Sequence, residues 1–234
     1  MSQSLLARPV IDYPSSDGQP MAENDWQRDA MMDAIAVLDL HFQPHPDVYV
    51  SGDLLIYYEE GNVNARVAPD VFVVVGAKKH KRMTYKLWEE PKAPDFVMEV
   101  ASPKTWRQDR GPKRELYERL GMREYWRYDP TGEHFTPRLE GLRLEESGYR
   151  PVPARLEEGQ RVLRSEALGL DLRVEGERLR FRDPVLGEDL RNLWESETAR
   201  RESEARLARE TAAREAAGAE VAELQALIRE LRGG

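Results

Sequence analysis

The chain has 234 residues, of which 33% are charged, and a formal net charge of −8 with no cysteine. The length suffices for one main domain with an appendage. The missing cysteine excludes disulfides, thiolate metal sites and cysteine nucleophiles, and the acidic balance excludes a protein that coats nucleic acid by bulk electrostatics. There is no apolar run of about 18 residues, so no membrane-spanning helix is expected. The first twenty residues lack an apolar signal segment, and the simplest compartment is the cytoplasm.

Residues 1–20 are rich in Pro, Ser and Gly and predict an irregular arm. Residues 21–186 read as the main domain. Its first element, residues 22–41, carries Trp26, Ala30, Ala34, Ile35 and Leu38 at helical spacing, and Pro44 and Pro46 end it. Val48–Tyr58 reads as a strand, and Glu59-Glu60-Gly61-Asn62 as a turn. Arg66–Val75 reads as a second strand, interrupted at Pro69 beside Asp70. After a charged connection containing Lys78–Arg82, Phe96–Ala101 is apolar on both faces and therefore central. Pro112 opens a helix whose buried side is Leu116, Tyr117 and Leu120, and Gly121 closes it. Glu124–Asp129 should return as a strand parallel to Phe96–Ala101. Residues 132–182 read as meandering β structure. Residues 187–234 read as one long charged helix. In its last two heptads Val221, Leu224, Ile228 and Leu231 follow 3-4-3 spacing, while Arg200, Ser203 and Arg214 weaken the same seam: a weak coiled coil.

Glu99, inside an apolar strand, is the most informative residue, because burying a carboxylate without a partner is costly. Adjacent strands would bring Asp70 beside it. Two carboxylates held close favour a cation between them, and oxygen ligands with open water positions suit Mg²⁺ or Mn²⁺. Lys113, on the first turn of the helix, could return to this place and stabilise an anionic transition state. Together the three suit hydrolysis of a phosphodiester. Each has a plainer reading. Asp70 would be a turn aspartate, Glu99 half of a buried ion pair, and Lys113 the i+4 partner of Asp109 on a surface. Asp109 reads as a helix cap or as the group that orients Lys113, and Tyr117 as core with its hydroxyl at the site edge. Asp53 is either a third carboxylate or part of a bulge at Gly52. The Lys78–Arg82 run is either a phosphate contact or a solvated loop. Trp106 beside Arg107 either stacks on a base or covers the core. His41 and His45 are separated by Pro44 and do not read as a zinc site.

Pro69-Asp70, Glu99-Val100-Ala101-Ser102-Pro103, Asp109-x-x-x-Lys113-x-x-x-Tyr117, Gly121-Met122-Arg123-Glu124-Tyr125-Trp126 and Asp129-Pro130 together resemble the Uma-type restriction endonucleases of the PD-(D/E)XK nuclease superfamily. The resemblance covers roughly residues 20–185. It implies a restriction-endonuclease-like α/β core with a mixed central sheet, to which a β extension and the C-terminal helix are added. It also implies a Mg²⁺- or Mn²⁺-dependent DNA endonuclease in which Asp70 and Glu99 hold the metal and Lys113 is the catalytic lysine. A homodimer or higher homo-oligomer fits this class. The chain departs from the superfamily pattern at Ala101, where a lysine is usual, so Lys113 would act from the helix instead. It also lacks a Glu-x-x-x-Gly motif at its start and carries Glu23 and Asp29 there. The rival reading is a catalytically inactive nuclease fold that serves as an oligomeric interaction or nucleic-acid-binding module.

Overall fold

In a computed structural model, residues 11–16, 18 and 21–233 are described. Most of the expected N-terminal arm lies outside them. Within it, Tyr13 stacks edge-on against Tyr57, and the Tyr57 hydroxyl donates to Pro14 O at 2.7 Å. The chain divides into two units, at Leu190 and Arg191.

The first unit begins with α1 (Asp25–His41), capped by Asn24, whose side chain accepts from Gln27 N. Its buried face is Gln27, Met31, Ala34, Val37 and Leu38. Trp26, expected on that face, is 55% exposed, because the buried stripe runs one position later around the helix. The expected strand Val48–Tyr58 is two strands in two sheets, β1 (Val48–Ser51) and β2 (Ile56–Tyr57). The break is at Gly52-Asp53, where Asp53 takes a left-handed φ of 47°. The expected strand Arg66–Val75 likewise divides around Pro69 into β3 (Arg66–Val67) and β4 (Val71–Val75). β5 (Tyr85–Lys86) pairs with β2 inside the connection read as loop.

β6 (Phe96–Val100) is buried at every position. The polar stretch after it contains an unexpected five-residue helix, α2 (Trp106–Arg110), before α3 (Pro112–Arg119), which starts on its proline. Gly121 follows with a φ of 74°, a left-handed closure that suits glycine. β7 (Glu124–Tyr128) then lies parallel to β6, as the helical crossover requires. β8 (Leu139–Glu145) and β9 (Gly148–Pro151) complete a mixed sheet of order β1-β4-β6-β7-β8-β9. A separate antiparallel sheet follows: β10 (Ala154–Glu157), β11 (Gln160–Ser165), β12 (Leu170–Glu175), β13 (Arg178–Asp183) and β14 (Glu188–Asp189). The meander therefore serves two sheets, its first hairpin widening the central one.

Both faces of the central sheet are covered, which explains its continuous apolar strands. On one face Val71, Val73, Phe96, Met98 and Trp126 meet Met31 and Leu38 of α1 and Leu163 and Leu172 of the second sheet. On the other, Phe72, Val97 and Tyr125 meet Tyr117 of α3 and Ile56 and Tyr85 of the three-stranded sheet β3-β2-β5. Glu124 joins the sheets. Fully buried, it accepts from Ser165 Oγ at 2.5 Å, Glu166 N at 2.8 Å and Trp126 Nε1 at 3.0 Å.

The second unit is α4 (Leu193–Gly233). It begins at Leu193 rather than at 187 because Glu188 and Asp189 still pair with β13. Asn192 caps it reciprocally: its side chain accepts from Glu195 N at 2.8 Å and its N–H donates to Glu195 at 3.0 Å. Among the described residues no helix is long and apolar enough to cross a membrane.

The position most sensitive to one added carbon is Gly52. A Cβ there would lie 2.0 Å from Asp70 O and 2.5 Å from Ile35 Cδ1. Gly52→Ala should destabilise the first unit by about 1–3 kcal/mol, lowering the melting temperature by roughly 2–12 °C in a scanning calorimeter. An unchanged melting temperature would disprove this tight approach.

Candidate active site

The β4–β6 pairing is antiparallel, with Val71 opposite Met98 and Phe72 opposite Val97. Continuing that register by one residue sets Asp70 across from Glu99. Both then share the sheet face of Phe72 and Val97, since strand side chains alternate. Asp70 sits where the ladder stops after Pro69, and its Oδ2 accepts from Val100 N at 2.7 Å. A proline that ends pairing thus frees an aspartate to cap the neighbouring strand. Gly52 allows the Asp70 backbone to come this close to β1.

Glu99 is 1% exposed and both its oxygens are engaged. Lys113 Nζ lies 2.8 Å from Oε2, and the Tyr117 hydroxyl donates to Oε1 at 2.5 Å. Lys113 and Tyr117 are one helical turn apart on α3, so a single face of that helix meets one carboxylate. Lys113 Nζ also lies 3.0 Å from Asp109 Oδ1. The i+4 pair with Asp109 is therefore present, but it is buried and joined to Glu99. Asp109 is fully buried, and its Oδ2 has no hydrogen-bond partner among the described residues. The Tyr125 hydroxyl fixes α2 over the sheet by donating to Asp109 O at 2.7 Å.

Three carboxylates thus surround one ammonium. Burial and the charge of Glu99 hold the Asp70 carboxyl well above its usual range. The same two causes push the Asp109 carboxyl up to about 7, against the pull of Lys113. Burial acts to lower the Lys113 ammonium, but Glu99, Asp109 and Asp70 outweigh it and hold the group protonated. Burial, followed by the charge of Glu99, keeps the Tyr117 hydroxyl protonated as a donor.

The other candidates take separate places. Asp53 is exposed, and its backbone N–H donates to Pro69 O at 2.9 Å. Glu23, just before α1, pairs with Lys104 Nζ at 3.2 Å. Asp29 pairs with neighbouring Arg28 on the surface. In the Lys78–Arg82 run, Arg82 turns inward to Glu90 and Lys79 pairs with Asp39. Two residues near Glu99 went unremarked in the sequence. Gln27 of α1 donates to Val100 O at 3.4 Å. Arg127 occupies the position beside Glu99 in the β6–β7 register. It donates to Glu140 at 2.8 Å, while its Nε and Nη1 are buried without hydrogen-bond partners among the described residues. An arginine between Trp126 and Tyr128 in a buried strand was the signal for it.

No group of three or more His, Cys, Asp or Glu side chains among the described residues is arranged to hold a metal. Mg²⁺, however, is commonly bound through one or two carboxylates with water in the remaining positions. The facing pair Asp70 and Glu99 meets that requirement. The buried Asp109 Oδ2, without a hydrogen-bond partner among the described residues, is a further oxygen donor around the Lys113 ammonium. The residues therefore fit a divalent ion.

The mixed sheet thus sets Lys113 against Glu99, with Asp70 opposite Glu99 in the continued strand register. The family model Uma2, "Putative restriction endonuclease", matches residues 16–175, and the chain belongs to that family. The chain is also similar to a solved structure described as "a putative nuclease belonging to DUF820 from Anabaena variabilis ATCC 29413". The two are 12% identical, with a TM-score of 0.42 over 58% of this chain and 73% of that one. No curated protein matches the chain.

The raised Asp109 carboxyl has a pH signature. An unfolded aspartate ionises near pH 4, so between about pH 4 and 7 the folded chain binds the extra proton. The stability that this proton gives the metal-free protein should therefore be lost as pH rises from about 4 to about 7, and the loss should level off above that. Urea unfolding in EDTA from about pH 5 to 8 should show the decline, and Asp109→Asn should make it shallower, with the raised Asp70 carboxyl supplying the rest. An equal slope in the variant would remove Asp109 as its source.

Proposed function

We propose that the protein is a metal-dependent DNA endonuclease, with Asp70 and Glu99 as the ligands of one Mg²⁺ or Mn²⁺ ion and Lys113 as the catalytic amine. The observation that carries this reading is the approach of Lys113 Nζ to 2.8 Å from Glu99. A lysine from α3 thereby does from a helix what the superfamily pattern does from position 101. Family membership supports nuclease chemistry, and the facing carboxylates support the metal.

The bound ion would polarise the phosphate and acidify a water. The chain's own residues have separate tasks. Lys113 holds a fixed positive charge where negative charge develops on the phosphate oxygens, in a covered place where its effect is larger than in water. Tyr117 fixes the Glu99 carboxylate by donating to one oxygen, leaving the other toward Lys113. Asp109 keeps the ammonium protonated and aimed. Val100 N anchors Asp70 by the same logic, so neither carboxylate has to be ordered when substrate arrives.

Assembly forms a second part of the proposal. Val221, Leu224, Ile228 and Leu231 of α4 are about half to three-quarters exposed. Arg200, in the earlier part of the seam, is engaged within its own helix by Glu197 and Glu204. The last two heptads are the segment that would join α4 helices of two copies. A homodimer would bring two such sites to the two strands of DNA.

Purified protein with Mg²⁺ or Mn²⁺ should nick plasmid DNA. Glu99→Ala should abolish nicking, and Lys113→Ala should slow it by about 10²-fold or more without unfolding the chain. Wild type as inert as Glu99→Ala across substrates and divalent ions would reject the activity. Separately, the double substitution Leu224→Lys/Ile228→Lys in the full chain should lower the mass in sedimentation equilibrium. A mass equal to wild type would reject α4 as the joining element.

A further inference from the structure

The residues that leave the parallel strands β6 and β7 build a second feature beside the carboxylates. After β6, buried Ser102 exchanges a hydrogen bond with Thr105 at 2.8 Å and accepts from Thr105 N at 3.2 Å. This fixes the start of α2 and hence Trp106. After β7, Asp129 gathers the following loop. Its Oδ1 accepts from Gly132 N at 2.9 Å, and its Oδ2 from His134 N at 2.6 Å and Phe135 N at 2.9 Å. The two anchored segments meet ring on ring: Trp106 and His134 lie 5.8 Å apart at 9° between planes. The exposed Arg107 guanidinium lies 4.4 Å over the same indole.

Trp106 is only half-buried, so the stack is at the surface. It is also close to the chemistry. Trp106 and Asp109 share one five-residue helix, so about one turn separates the indole from the carboxylate that holds Lys113. Other tryptophans differ. Trp26 and Trp194 are more exposed, yet among the described residues neither has a stacked ring or a cation over it. A ring backed by a second ring, beside an arginine, is the arrangement that takes an unpaired base: the ring stacks and the cation meets the phosphate.

We infer that Trp106, backed by His134, is a stacking platform for one unpaired nucleobase next to the phosphate in the Glu99–Lys113 site, with Arg107 moving from the indole to the adjoining phosphate. The inference rests on the nuclease reading and narrows its substrate to DNA that is single-stranded or locally opened there. An exposed Arg–Trp contact is weaker than a base stacked on an aromatic ring, so a base can displace the guanidinium. Trp106 and His134 are positioning residues in this scheme. Trp106 touches the nucleotide beside the reacting group and not the reacting atoms, and His134 acts only through the indole it backs.

The test is binding by the full-length chain, with Ca²⁺ replacing Mg²⁺, to a fluorescein-labelled oligothymidylate and to a duplex of equal length. Trp106→Ala should weaken oligothymidylate binding by roughly 5- to 150-fold, the range for a lost base–aromatic stack. Trp106→Phe should stay within about threefold of wild type, since a ring remains. Duplex binding should change by less than about twofold, being carried by phosphate contacts. Equal oligothymidylate binding by wild type and Trp106→Ala, an equal loss for both DNAs, or no oligothymidylate binding by wild type would each overturn the platform. If Trp106→Ala does not fold, His134→Ala is read in its place: with the indole kept but unbacked, oligothymidylate binding should fall by less than for a lost stack and duplex binding should not change, and equal oligothymidylate binding by wild type and His134→Ala, or an equal loss for both DNAs, would overturn the platform. The two ideas fail separately: a failed platform leaves Glu99-dependent nicking in place, and a failed nuclease leaves Trp106-dependent binding without cleavage.

Discussion

A carboxylate at the centre of a fully buried strand must be answered by charge or by hydrogen bonds, and Glu99 is answered by both. Leaving such a group uncompensated would cost several kcal/mol. The ammonium of Lys113 and the hydroxyl of Tyr117 come from one face of α3, so the helix is held to the sheet at this point by polar contacts as well as by packing. Other parts of the first unit follow from that meeting. The parallel return of β7 needs a crossover, the crossover carries α2 and α3, and α2 brings Asp109 under Lys113.

The arrangement has an unfavourable side that is itself informative. Three acidic groups lie around one ammonium, and burial, with the charge of Glu99 behind it, raises the carboxyls of Asp70 and Asp109. A fold selected only for stability would gain by replacing such a buried group with an apolar one of similar size. Buried acids with raised carboxyls, held together at one end of a central strand pair, are what the proposed metal and phosphate site would require.

Much of this was legible in the sequence, for identifiable reasons. The central place of β6 and its parallel partner followed from continuous apolar runs joined by a helix that starts on Pro112 and ends at Gly121. Lys113 was legible from its spacing to Asp109 and Tyr117. Other features depend on three dimensions. A strand that changes sheets at Gly52-Asp53 looks like one long β run, because the apolar residues on both sides are equally β-prone. The helix α2 is too short to show a period, so the pairing of Asp109 with Lys113 is legible in the spacing but its burial is not. Trp26 misled because an aromatic at helical spacing looks like core wherever it falls. Arg127 was passed over because a cation inside a strand carries no spacing signal.

Position 101 holds a small residue whose N–H continues the ladder to Tyr128 O at 2.8 Å, and the amine that a strand lysine would supply arrives from Lys113, fourteen positions after Glu99. The positive charge thus reaches the glutamate through space and not through adjacency in the chain. A search keyed to adjacent letters would miss such an amine, yet a template built from a few atoms around the glutamate would find it.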